Sequence, residues 1–389
     1  MNGRERMAAA MRLQKPDCVP VMCQLSLGHY FLNVPLPREE IWFGAEGFSE
    51  ALVTLARRYR FDGVLVNLLP APPDWRKEID RIAPEADGAL VLHWKNGGGC
   101  RIPADDNLHH FPPYQPPDLA DVKPEDIYYD DPHGMGGMKH PFHFGLSPAR
   151  GKSGFPDYLF RTVEQLKTTV GGELSVHAEV FSPFTQLMEL FGYGNALMHL
   201  VTDAGKCHDI LSRYAEGTSE LAGRFARRGA DAILISSAFA GGGFISRDFY
   251  CAFVQPYERR VAQAVAKAAP GTPVYVHTCG AIGDRLEMMV ETGFNGIDTL
   301  DPPPLGNVRL DDAKRRIGGR LFIKGNLDPV GVLLNGNAQN VMGEARKCLE
   351  QAAFGGGYIL SSACSVPPFA PAENISLLYE AAEKFGRYV

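Results

Sequence analysis

PVYVHTCGAIGDRLEMMVETGFNGIDTLD, residues 273–301, decides the architecture. A β-branched run, PVYVHTCG (273–280), leads through a helical pattern into a second run, NGIDTLD (295–301), and strand, helix, strand is the repeating unit of a parallel sheet. Outward from it, runs of the same kind recur at VPVMCQL (19–25), DGVLVNLL (62–69), ELSVHAEVF (173–181), DAILISSA (231–238), RLFIKGNLD (320–328) and GYILSSAC (357–364). Amphipathic segments such as CHDILSRYAEGTSELAGRFARRGA (207–230) and AQNVMGEARKCLEQAAF (338–354) lie between them, each ending near a glycine that can stop a helix. Eight such alternations predict an α/β chain folded as a single (β/α)8 TIM barrel over residues 1–389. An open doubly wound sheet is the alternative. The barrel is preferred because the candidate site residues fall at C-terminal strand ends, where a barrel collects its chemistry.

One segment breaks the rhythm. After strand two, residues 70–157 carry PAPPDW, WKNGGGC, HHFPPYQPPD and DDPHGMGGMKHPFHFG, too rich in proline, glycine and histidine for a packed strand or helix. The interleaved Trp75, Trp94, Phe111, Tyr114, Phe142 and Phe144 favour an ordered lid over the barrel mouth rather than a floppy linker. Composition sets the class. At 389 residues, 45% hydrophobic and a net charge of −6, the chain has material for a large core and no basic bias toward nucleic acid. No stretch approaches 18 uncharged apolar residues and the start lacks a signal-like apolar run, so the expectation is a cytoplasmic enzyme with no membrane partner. The eight cysteines include no CxxC and are too sparse for a disulfide framework.

His277 and Cys279, two apart on a predicted strand, aim at one spot, and Cys364 at the end of GYILSSAC joins them across 85 positions. One nitrogen and two sulfurs is the ligand count of a catalytic zinc that keeps a position open. The competing reading is three core residues, since free cysteine is among the most buried types. Glu179, which shares a face of strand three with His177, is open to three readings: fourth ligand, proton donor, or a charge paired inside the barrel. Asn326 and Asp328 in KGNLDP end strand seven and would bind substrate or orient a ligand, although Asp before Pro also starts turns. His29 and Tyr30 follow strand one as candidate substrate readers or plain loop residues. Two motifs are set aside: Asp131, His133 and Gly136 (DxHxxG) lack a preceding strand, and AGGG (240–243) has no phosphate-loop context and reads as a flexible turn.

The run HTCGAIGDRLEMMVETGFNGIDTLD, then IKGNLDPVGVLLNG and GGGYILSSACSVPPFAPAENI, together with SPFTQLMELFGY (182–193) and GADAILISSAFAGGGFISRDFYCAFVQPYERRV (229–261), resembles the uroporphyrinogen decarboxylase superfamily, specifically its zinc-dependent corrinoid (cobalamin) methyltransferase branch. The resemblance covers nearly the whole chain outside 70–157 and implies the same barrel. In that branch His-x-Cys and a distant Cys hold zinc, which map onto His277, Cys279 and Cys364. It also implies exchange of a methyl group between a small substrate (a methoxylated compound, a methylamine or a thiol such as coenzyme M or homocysteine) and the cobalt of a methylcobalamin-type corrinoid carried by a partner protein; the aromatic-rich insertion tilts the expectation toward a methoxylated substrate, which flat apolar walls suit better than a two-carbon thiol. Homodimerisation is a further expectation. Uroporphyrinogen decarboxylases carry an arginine-rich stretch after the first strand, whereas this chain has PVMCQLSLGHYFLNVPLPR with Arg38 alone, so the substrate's carboxylates would lack guanidinium partners. Decarboxylation, or a binding role without catalysis, is the alternative.

Overall fold

The computed structural model describes residues 1–95, 97–128, 145–146 and 154–388. Its strands, in chain order, are β1 (Gly63–Val66), β2 (Ile79–Pro84), β3 (Leu90–Trp94), β4 (Gly99–Ile102), β5 (His109–Phe111), β6 (Ile127–Tyr128) and β7 (Gly145–Leu146), then β8 (Ser175–Phe181), β9 (Ala232–Ser236), β10 (Val274–Thr278), β11 (Gly296–Thr299), β12 (Phe322–Leu327) and β13 (Tyr358–Ser362). β1 and β8 to β13 form one parallel sheet in sequence order, with helices between successive strands. These are seven of the eight expected staves.

The eighth, VPVMCQL, closes the barrel as bridges rather than as a full strand. Val21 pairs with Leu360 and Leu25 with Val366 in parallel, on the β13 side. Pro20 has no N–H to give, so it only accepts, from Leu360 N at 2.9 Å. On the other side Asp62 N donates to Val21 O at 2.8 Å, and Val21 N donates to the Asp62 carboxylate at 2.7 Å instead of to a backbone carbonyl. The ring is complete, but a side chain makes one of its links.

Inside the barrel, Met22, Leu65, Ala232, Leu234, Tyr275, Phe322 and Ile359 form a core of their own with Met7, Ala10 and Met11. The last three come from the helix Gly3–Met11, capped by Asn2 and tied to the strands' N-terminal ends by Arg4 N to Glu173 O at 2.8 Å. It plugs that end of the barrel. The open end is therefore the C-terminal one, where His277 and Lys324 stand two residues beyond Tyr275 and Phe322 on the same inward face.

The insertion corrects one expectation. Residues 79–111 form an antiparallel sheet, β2 to β5, with Leu92, Cys100 and Ile102 fully buried in the main core. Its prolines and glycines stand mostly in the turns, such as Gly88 (φ +83°) between β2 and β3, which leaves strands of three to six residues with little room for a visible alternation. The aromatics are used in packing. Trp75 and Trp94 lie 5.0 and 5.7 Å from the Phe43 ring, Phe111 lies 5.5 Å from His93, and the Tyr114 hydroxyl donates to Leu190 O at 3.2 Å. Phe142, Phe144, Asp131, His133 and Gly136 lie outside the described residues.

Candidate metal centre

β10 carries His277 on the inward face, and the chain turns at once at Gly280 (φ +77°), whose N–H donates to the Asp301 carboxylate at 2.6 Å. That link holds Cys279 at the barrel mouth. Gly241 of the AGGG run backs the same loop: a Cβ there would collide with the Cys279 carbonyl oxygen, and Gly242 N donates to Ala281 O at 2.7 Å. The run is a tied turn packed under a ligand loop, not a free one. Cys364 arrives from the opposite side of the ring, just beyond β13, where Ala363 N donates to Leu327 O at 2.7 Å.

The ligand atoms of His277, Cys279 and Cys364 all lie within 4.8 Å of one another, and Cys279 Sγ is 3.3 Å from His277 Nε2. A tetrahedral ion with thiolates at about 2.3 Å and imidazole at about 2.1 Å needs ligand separations of roughly 3.6 to 3.8 Å, so the three could close on one ion with sub-ångström adjustments. His277 is 6% exposed, while the two cysteines are half-buried and face the mouth. One nitrogen, two soft sulfurs and an open side suit a borderline-soft divalent ion that keeps a position for a further ligand.

The electrostatics split the two thiols and favour ionisation of Cys364. Cys364 accepts from Cys279 and lies beside His277, and its thiol is held down to about 4 despite burial, whereas Cys279, as the donor of the pair, is pushed up. Burial opposes a cation on His277, but Cys279, Asp298 and Cys364 outweigh it and raise its pKa well above the usual histidine range.

The groups behind His277 escaped the sequence reading. Thr299 Oγ1 lies 2.7 Å and Asp298 Oδ2 3.4 Å from His277 Nδ1, so Nδ1–H has acceptors and Nε2 is free to face the sulfurs. Asp298 in turn accepts from Lys324 Nζ at 2.9 Å. Burial alone would raise its carboxyl, but Lys324 and His277 hold it down to about 2. Thr299 has φ +82°, a conformation that a β-branched residue rarely adopts and that is held here between strand and ligand. The available signal was register. His277, Asp298 and Lys324 are lateral neighbours on three adjacent strands and so share the inward face.

The other sequence candidates divide. Glu179 lies inside the barrel, 8% exposed; burial raises its carboxyl to about 7, against the opposing pull of His277 and Ser236. It is thus near enough to sense His277. Asp328 caps the following turn, accepting from Val330 N and Gly331 N at 2.9 Å each. Asn326 donates to Leu300 O at 2.9 Å and accepts a long contact from Cys348 Sγ at 3.7 Å. Buried His29 bonds Pro368 O at 3.0 Å and the Tyr59 hydroxyl at 2.8 Å, and Tyr30 packs edge-on against Phe48 at 5.7 Å. These two side chains join elements around the mouth.

Comparison with known proteins agrees with this architecture. Methylcobamide:CoM methyltransferase MtbA of Methanosarcina acetivorans is 27% identical over 249 residues, covering 62% of this chain and 66% of that protein. Uroporphyrinogen decarboxylase of Legionella pneumophila (strain Lens) is 26% identical over 236 residues, covering 58% and 63%. The chain thus aligns with slightly less than two thirds of the length of these curated relatives. A solved methyltransferase from Methanosarcina mazei superposes with a TM-score of 0.72 over 99% of both chains at 18% identity, which supports the fold. The family model described as Uroporphyrinogen decarboxylase (URO-D) matches residues 146–385, well over half of the sequence, and the chain belongs to that family.

Proposed function

We propose that this protein is a zinc-dependent methyltransferase that exchanges a methyl group between a small substrate and the cobalt of a separate corrinoid protein. The observation that carries the reading is the His277, Cys279 and Cys364 cluster at the barrel mouth. Zinc bound there would lower the pKa of a coordinated thiol so that it is a thiolate at neutral pH. His277 Nε2 and the two sulfurs would hold it, with Asp298 and Thr299 fixing the imidazole. Glu179, close to neutrality in its titration, would supply or accept the proton that accompanies substrate binding.

Of the candidate substrates a thiol is favoured. Trp75, Trp94 and Phe111, described aromatics that would suit a methoxylated ring, are instead packed against Phe43 and His93, and the MtbA relatives are named for transfer to CoM. Decarboxylation of uroporphyrinogen has support from relatives of that name, but this chain lacks a guanidinium cluster after the first strand. Arg38, the arginine there, already donates to Ile102 O at 3.2 Å and to Gly88 O. We also read the described part of residues 70–157 as a cover for the mouth. It leaves the C-terminal end of β1 and packs on helices that follow the neighbouring strands, with Asp105 against Gly28, Tyr114 on Leu190 and Ala120 O bonded to Lys206 at 3.1 Å. Among the described residues no helix is long and apolar enough to cross a membrane, and a cytoplasmic setting fits a chain that works with thiols.

The test is metal analysis followed by methyl transfer from methylcobalamin to coenzyme M or homocysteine. About one zinc per chain with thiol-dependent demethylation is the expected result. A metal-free protein that turns over uroporphyrinogen would replace this reading with decarboxylation.

A further inference from the structure

We infer that Lys324 is a positioning residue of the metal centre: it anchors the Asp298 carboxylate so that His277 offers Nε2, and not Nδ1, to the ion. The inference rests on the metal reading of His277, Cys279 and Cys364. Its basis is a row of three side chains on adjacent strands. His277, Asp298 and Lys324 are register partners across β10, β11 and β12, at 6%, 2% and 1% exposure. Asp298 Oδ1 is tied twice, by Lys324 Nζ at 2.9 Å and by Thr299 N at 2.9 Å. The second oxygen, Oδ2, is thereby turned to His277 Nδ1.

A carboxylate held at one oxygen by an ammonium group has one orientation available, and in a low-dielectric interior the pair adds no net charge to the site. That matters for a centre already holding two thiolates, because an unbalanced anion behind the imidazole would oppose binding of a third, substrate thiolate. Lysine suits this place: its single nitrogen makes a point contact with one carboxylate oxygen and leaves the other to His277, where the fork of an arginine would engage both. Among the described residues the hydrogen-bond partner of Lys324 is Asp298, so it acts through that carboxylate.

The experiment uses the full chain and four forms: wild type, Lys324→Met, Asp298→Asn and the double variant. Zinc affinity is measured by chelator competition, and the imidazole nitrogen carrying hydrogen by 15N NMR, using the signal that vanishes in His277→Ala. Wild type is expected to bind zinc with hydrogen on Nδ1. Lys324→Met should weaken zinc binding about 10- to 100-fold, the usual range for outer-shell changes, and disturb the Nδ1–H signal. In the Asp298→Asn background the same substitution should do almost nothing. An equal loss in both backgrounds, or none in either, overturns the proposal while leaving the zinc site standing. Should Lys324→Met alone not fold, the Asp298→Asn and double forms carry the test, since Asp298→Asn with wild-type affinity and wild-type tautomer would show that the row does not position His277. A wild-type chain that takes up no zinc overturns the metal reading, and the proposal falls with it.

Discussion

His177 and His277 stand inside the same barrel, on inward faces of β8 and β10, yet they have opposite chemistry. His177 is fully buried near the plugged end, with Nδ1 2.8 Å from the Tyr275 hydroxyl and Nε2 3.0 Å from Ser175 Oγ. Its partners are neutral, so burial wins and pushes its pKa down to about 4. His277, two residues above that same Tyr275, has a carboxylate behind it and two thiols in front, and its pKa moves up. Burial is similar in the two cases. What separates a structural histidine from a candidate ligand here is the charge of its partners, not its depth.

The comparison breaks most sharply by substitution at the two ends. His277→Ala or Cys364→Ser should reduce zinc affinity by more than the roughly 10- to 100-fold of outer-shell changes, and for Cys364→Ser the thermal midpoint of the metal-free protein should stay within a few degrees. Atomic absorption after dialysis, beside a melting curve, checks both halves. His177→Ala should do the reverse. It empties a core position and orphans Tyr275 and Ser175, at a cost of about 2 to 5 kcal/mol in denaturant unfolding, with zinc stoichiometry retained in the folded fraction. Loss of zinc in His177→Ala, or collapse of the fold in Cys364→Ser, would erase the distinction between the two ends.

A finer version removes one atom. Tyr275→Phe leaves His177 Nδ1 without its hydroxyl partner and should cost about 1 to 3 kcal/mol, again without loss of metal. Because Tyr275 lies next below His277 on β10, a change in zinc affinity here would mean that the two layers are coupled.

Much of this was legible in the chain, and the failures have physical causes. The eight staves were visible because buried parallel strands read as short continuous apolar runs. VPVMCQL was read as an equal strand, but Pro20 and the side-chain link from Asp62 reduce it to bridges. The sheet at 79–111 is hidden in the sequence because its strands of three to six residues are about as short as the turns between them. His277, Cys279 and Cys364 stood out because their residue types are rare at strand ends. Asp298 and Lys324 did not, since a lone charge in an apolar run looks like a boundary until register shows that the two are neighbours. For His29 and Tyr30 the contacts on view are with the protein itself, at Pro368, Tyr59 and Phe48.

The smallest expected effect is in pH. The folded protein holds His177 at about 4, below the ordinary histidine value near 6.5, so between those values the unfolded chain binds more protons than the native one. Stability from this group is therefore full above about pH 6.5 and is lost as pH falls toward 4, by about 1 kcal/mol at pH 6 and more below. His277, raised in the folded state, contributes with the opposite slope, and bound zinc adds its own proton linkage. The clean measurement is a difference: unfolding free energy from pH 7.5 to 5.5 for Cys364→Ser alone and for Cys364→Ser with His177→Gln. The second curve should lie lower at pH 7.5, because the packing and hydrogen bonds of His177 are imperfectly replaced, and fall less steeply toward acid. Parallel curves would mean that His177 is protonated within the fold, and that the contrast between the barrel's two histidines is one of position alone.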